Sequence, residues 1–92
     1  MHQMIIMNKF VVNVRVSKYD VYIGRGSKWG NPFIIGKDGN RDTVCDKYIE
    51  YINGRPDLMA AIPELKGKVL GCYCAPLRCH GDYLAHLANN TP

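Results

Sequence analysis

The stretch Lys68-Val69-Leu70-Gly71-Cys72-Tyr73-Cys74-Ala75-Pro76-Leu77-Arg78-Cys79-His80-Gly81-Asp82 decides the fold. Its first seven residues are mostly apolar and form a short run, which suits a central strand. Ala75-Pro76-Leu77-Arg78 reads as a loop, because proline lacks a backbone donor and fixes its own φ. A helix begins at Cys79 or His80, with Tyr83, Leu84, Leu87 and Ala88 as its apolar stripe. This order puts Cys74 at the carboxyl end of a strand and His80 at the amino end of a helix. In open α/β sheets that edge is where ligands bind.

The elements before it follow from spacing and breakers. Pro56 opens a short helix with Leu58, Ile62 and Leu65 on one face, and Pro63 disturbs its last turn. Asp42 is the expected N-cap of a longer helix carrying Val44, Tyr48, Tyr51 and Ile52 and stopping at Asn53-Gly54. Cys45 falls inside it as core or surface filling. Val11 to Val16 alternates, with Val12, Val14 and Val16 on one face, as a half-buried strand does. Val21-Tyr22-Ile23 and Phe33-Ile34-Ile35 read as two further short strands, and Lys37-Asp38-Gly39-Asn40 as a turn. The expected fold is α/β: a small single domain over residues 9–92, with a short mixed or parallel sheet flanked by helices. It ends in the strand–loop–helix unit. Residues 1–8, with alternative starts at Met4 and Met7, are expected to be an N-terminal extension.

The chain has 92 residues, 47% of them hydrophobic and 22% charged. That apolar fraction excludes a disordered tail, and no apolar run approaches the roughly 20 residues of a membrane helix. The formal charge of +4 favours acidic partners, and the basic residues are scattered rather than gathered into an arm. The opening residues lack the pattern of a secretory leader, so a cytoplasmic location is expected, with cysteines kept as thiols.

Two constellations carry chemistry. The first is Cys72-x-Cys74-x4-Cys79-His80, with Asp82 two residues on. Cysteine or histidine at a helix start meets free N–H groups and the positive end of the dipole, which favours a thiolate and binds anions. Cys79, His80 and Asp82 are therefore candidate nucleophile and acid/base groups. The alternative is a zinc ion held by Cys72, Cys74, Cys79 and His80, a Cys3His set that would staple a small domain. A third reading gives Cys72 a packing role, Cys79 a capping role and His80 a place on the surface.

The second is Gly24-Arg25-Gly26-Ser27-Lys28-Trp29-Gly30-Asn31-Pro32-Phe33, directly after a strand. Glycines let backbone approach a phosphate, Arg25 and Lys28 supply charge, and Ser27 and Asn31 supply neutral hydrogen bonds. Trp29 either stacks on a base or anchors the turn in the core together with Phe33. Neither the Walker spacing nor that of a dinucleotide fingerprint is met.

Taken together, Tyr22 to Phe33, Leu65 to Cys74 and Cys79-His80-Gly81-Asp82 resemble the family catalogued as domain of unknown function 4326, over roughly Val11 to Asn89. Tyr73 stands where that family usually has tryptophan. The resemblance implies a bacterial or phage setting. Relatives in that family sometimes lie beside, or are fused to, a domain class linked to NAD and ADP-ribose chemistry. The Cys79-His80 ending is also similar to that of domain of unknown function 488. Both associations imply a nucleotide, nucleoside or nucleic-acid ligand, by analogy. The expected function is binding or processing of a nucleotide-like anion, through glycosidic cleavage or group transfer, in a pocket made by the glycine loop and the Cys-His corner. A zinc-stapled module for a host protein or nucleic acid is the alternative.

Overall fold

The computed structural model describes residues 9–90, so the extension expected over residues 1–8 lies outside the described residues. Three strands, β1 (Val11–Asn13), β2 (Val21–Tyr22) and β3 (Leu70–Cys72), form one parallel sheet in the order β1-β3-β2. β3 takes the centre, as its apolar run requires, and all three of its residues are buried. Leu70 lies opposite both Val11 and Val21. Because the strands run the same way, their carboxyl ends meet along one edge. Around the sheet pack α1 (Arg41–Asn53), α2 (Pro56–Ala61), a 3₁₀ turn at Ile62–Leu65 and α3 (His80–Asn89). The fold is thus a small α/β arrangement with a parallel sheet.

β1 is shorter than the alternation of Val11 to Val16 suggests. Asn13 turns the chain: its carbonyl accepts from the N–H groups of Val16 and Ser17, and its side-chain oxygen accepts from that of Arg15. Val16 is consequently 82% exposed. β1 and β2 flank β3 on opposite sides, so residues 14–20 must return across the sheet. They cross at Gly71, where a Cβ would lie 2.6 Å from the Tyr19 ring and 2.7 Å from Val14.

The expected strand at Phe33-Ile34-Ile35 is a loop. The Asp38 carboxylate accepts the Ile34 N–H at 2.8 Å, Ile35 makes only an isolated bridge to Gly39, and both isoleucines are exposed. The N-cap of α1 is Asn40, not Asp42: the Asn40 side-chain oxygen accepts the Thr43 N–H at 2.9 Å. Asp42 occupies the first turn, where the helix dipole also favours a negative charge. Pro63 ends α2 as expected, because it cannot continue the i→i−4 ladder, and the chain tightens into the 3₁₀ turn.

Ile23, Trp29, Tyr48, Ile52, Leu70 and Leu84 form the centre of the core. Trp29 is 3% exposed, so of its two readings the anchor holds. The Tyr48 hydroxyl donates to the Trp29 carbonyl at 2.7 Å inside this core, and burial pushes the phenol pKa well up. Tyr48→Phe leaves that carbonyl unpaired and is expected to destabilise the fold by about 1–3 kcal/mol. Urea unfolding followed by Trp29 fluorescence measures this, and an unchanged midpoint would contradict it.

Candidate functional site

The glycine-rich segment leaves the carboxyl end of β2 as a chain of tight turns. The carbonyl of Gly24 accepts from both the N–H and the hydroxyl of Ser27, and the carbonyl of Ser27 accepts from the N–H of Gly30. Gly26 has φ +95°, in the left-handed region that favours glycine. Gly30 is needed for close approach, because a Cβ there would lie 2.8 Å from the Gly24 carbonyl oxygen. The turns fold Trp29 inward and leave Arg25 outside. Asn31 then pins the exit: its amide donates to the Val44 carbonyl of α1 at 3.1 Å, and its oxygen accepts the Phe33 N–H.

The Cys-His corner is built by the start of α3. Cys79 is the N-cap, its sulfur accepting the Gly81 N–H at 3.3 Å, while Asp82 Oδ2 accepts the Cys79 N–H at 3.0 Å. This reciprocal cap satisfies donors that a helix start would leave unpaired. His80 turns inward, 8% exposed, with its ring 4.8 Å from that of Tyr48. His80 Nε2 lies 2.7 Å from the Ile23 carbonyl. A carbonyl only accepts, so the proton sits on Nε2. Gly81 lets the helix sit directly on this strand end, since a Cβ there would lie 2.5 Å from Ile23 Cδ1.

These two segments line one cleft of about 410 Å³ at the carboxyl edge of the sheet. Gly24, Arg25 and Asn31 line it from the loop, and Cys72, Cys74, Cys79 and His80 line it from the corner. Phe33, Ile34 and Val44 add an apolar side. Arg41, Tyr73 and Arg78 also line it, and sequence reasoning missed them. Arg41 had a signal: a cation in the first turn of a helix opposes the dipole, which invites a reason from outside the helix. Its guanidinium donates to the Arg78 carbonyl at 3.2 Å. Arg78 reaches back to Asp42 at 3.1 Å and Asp46 at 2.8 Å. Among the described residues, neither Arg25 nor Arg41 forms an ion pair.

Other expected site residues are placed elsewhere. The Ser27 hydroxyl is turned to its own loop, and Trp29 is in the core, so it does not stack on a ligand. Lys28 lies over the Trp29 ring and 3.5 Å from Glu64, outside the cleft. Asp82 caps α3 and borders a separate recess of about 220 Å³.

The thiols form a pair that the helix-start argument does not anticipate. Cys72 and Cys79 meet with their sulfurs 3.3 Å apart. Their hydrogen bond favours one thiolate and one thiol. Cys72 is lowered to about 6, chiefly by the Cys79 hydrogen bond and then by backbone N–H groups of the following loop. Cys79 is pushed up by the same bond and by burial. Burial also raises Cys45, which faces the Arg78 carbonyl, to about 11. Strand β3 ends at Cys72, so Cys74 does not share a strand face with it. Among the described residues, no three His, Cys, Asp or Glu side chains converge in a way that could hold a metal ion. The expected Cys3His set therefore reduces to the Cys72–Cys79 contact, with His80 committed to Ile23.

Burial holds the His80 imidazole below its ordinary 6.5, since the interior disfavours its cation. The unfolded chain takes up a proton there that the folded chain refuses. Stability present above that pH is thus lost as pH falls through it. Wild-type protein is expected to lose more stability than His80→Gln between about pH 7 and pH 5. The glutamine amide can still donate to Ile23. Denaturant melts at each pH test this, and parallel pH profiles for the two proteins would contradict it.

Residues 7–90 match the model of a family described as domain of unknown function (DUF4326). An uncharacterised protein of Acanthamoeba polyphaga mimivirus is 41% identical, over 78% of this chain and 68% of its own length. An uncharacterised 12.4 kDa protein of the nrdA-td intergenic region of Enterobacteria phage T4 is 40% identical, over 86% of this chain and 76% of its own. No solved structure matches the chain. Among the described residues, no helix is long and apolar enough to cross a membrane. With the family model covering nearly its whole length, and two viral relatives aligned over most of theirs, the chain belongs to the DUF4326 family.

Proposed function

We propose that this protein binds a small nucleotide-like anion in the cleft between the glycine loop and the Cys-His corner. The observation that carries the reading is the cleft lining: Arg25, Arg41 and Arg78 share one concavity with an apolar side made by Phe33, Ile34 and Val44. Guanidinium groups suit the planar, multiply charged oxygens of a phosphate, and an apolar wall suits a base. Arg78 is partly neutralised by Asp42 and Asp46, so Arg25 and Arg41 supply most of the attraction. A volume near 410 Å³ falls in the range of small-molecule sites. Placement at the carboxyl ends of parallel strands agrees with where open α/β sheets take ligands.

The reading stops at binding. Cys79 and Asp82 cap α3, and His80 ties that helix to β2, so each has a structural task that accounts for its place.

Titration calorimetry with ADP-ribose and with a purine mononucleotide tests the proposal. Arg25→Ala and Arg41→Ala are each expected to weaken binding roughly tenfold or more, the loss of one charge-assisted hydrogen bond. Lys68→Ala, at the amino end of β3 and away from the cleft, is expected to bind like wild type. No binding by the wild type, or equal weakening by all three substitutions, would sink the proposal.

A further inference from the structure

We propose that Cys72 and Cys79 form a redox-active dithiol at the floor of the cleft, closed to a disulfide by small hydroperoxides and reopened by thiols. The contact carries this. Two cysteine sulfurs stand 3.3 Å apart, one at the end of β3 and one at the N-cap of α3. A disulfide needs them at about 2.05 Å, so the pair has to close by little more than 1 Å. Both elements are anchored: β3 is the central strand, and α3 is tied to Ile23 through His80. The pair is therefore held in register with neither partner on a mobile loop. Cys45 faces the Arg78 carbonyl instead and offers no competing partner at this distance.

Access selects the oxidant. Cys72 is 1% and Cys79 4% exposed, yet both line the cleft. A hydroperoxide, like the small dithiol that reopens the pair, fits the cleft and reaches sulfur at its floor. Cys72 sulfur attacks one peroxide oxygen, so an S–O bond forms and the O–O bond breaks. The departing hydroxide takes up the thiol proton and leaves as water. The sulfenic acid then condenses with the Cys79 thiol. The S–S bond forms, the S–O bond breaks, and the Cys79 proton leaves with that oxygen as a second water. The two thiols lose two electrons and hydrogen peroxide gains them. A dithiol reductant returns both electrons by exchange and leaves as its own disulfide. None of this depends on the anion-binding reading, and it operates on the unliganded chain.

The experiment treats reduced full-length protein with equimolar hydrogen peroxide, then counts thiols after denaturation and maps the linked peptides. The expected result is loss of two of the four thiols, a Cys72–Cys79 link and full recovery with dithiothreitol. A Cys45→Ser, Cys74→Ser double variant is expected to form the same link. Cys79→Ser is expected to stop at a Cys72 sulfenic acid that dimedone traps. If that variant does not fold, the wild-type peptide map decides alone. Thiol loss no faster than that of free cysteine, a link between other cysteines, or loss that dithiothreitol does not reverse overturns the proposal.

Discussion

A single buried hydrogen bond, from His80 Nε2 to the Ile23 carbonyl, joins positions 57 residues apart and sets the geometry of the cleft. It fastens the start of α3 to the chain just as that chain leaves β2. Beside it, the His80 ring packs on Tyr48, whose hydroxyl holds the glycine loop through the Trp29 carbonyl. The bond is strong by circumstance: it is short, shielded from water and made by an imidazole that burial keeps neutral. Close packing supports it, because Gly81 and Ile23 are in contact where any larger residue at position 81 would push them apart. The reciprocal cap at Cys79 and Asp82 then fixes the direction of the helix from that point.

The sequence carried the central strand–loop–helix unit well, because its signals are local. A short apolar run, a proline loop and a helical stripe each state their own conformation. Elements that depend on partners are less legible. The alternation after Val11 continues to Val16, but strand pairing stops where Asn13 captures the following N–H groups. Ile34 and Ile35 have strand-like side chains and no strand to pair with, so Asp38 takes the Ile34 N–H instead. Propensity described these residues and tertiary context overrode it.

The candidate cleft is legible in outline and not in its details. Glycines after a strand and a Cys-His pair before a helix mark the edge of the sheet where the cleft lies. Which side chains face the cleft was beyond the reach of spacing. Trp29 has the same letter whether it stacks on a base or plugs a core, and here it plugs the core. Cys79 sits at a helix start, which normally favours a thiolate. Its sulfur also meets that of Cys72 at 3.3 Å, so the two thiols share one ionisation and Cys79 does not carry it alone. The Arg41 guanidinium reaches the Arg78 carbonyl 37 residues further on, a separation along the chain that no local pattern encodes.

The most direct measurement is NMR on protein labelled with nitrogen-15 in its histidines, reading the His80 ring. With His80 donating to Ile23, the ring is expected to show one neutral tautomer with its proton on Nε2, slow to exchange with water, and a nuclear Overhauser contact from that proton to the α protons of Gly24. A proton on Nδ1, or a ring that exchanges freely and shows no contact with Gly24, would contradict it.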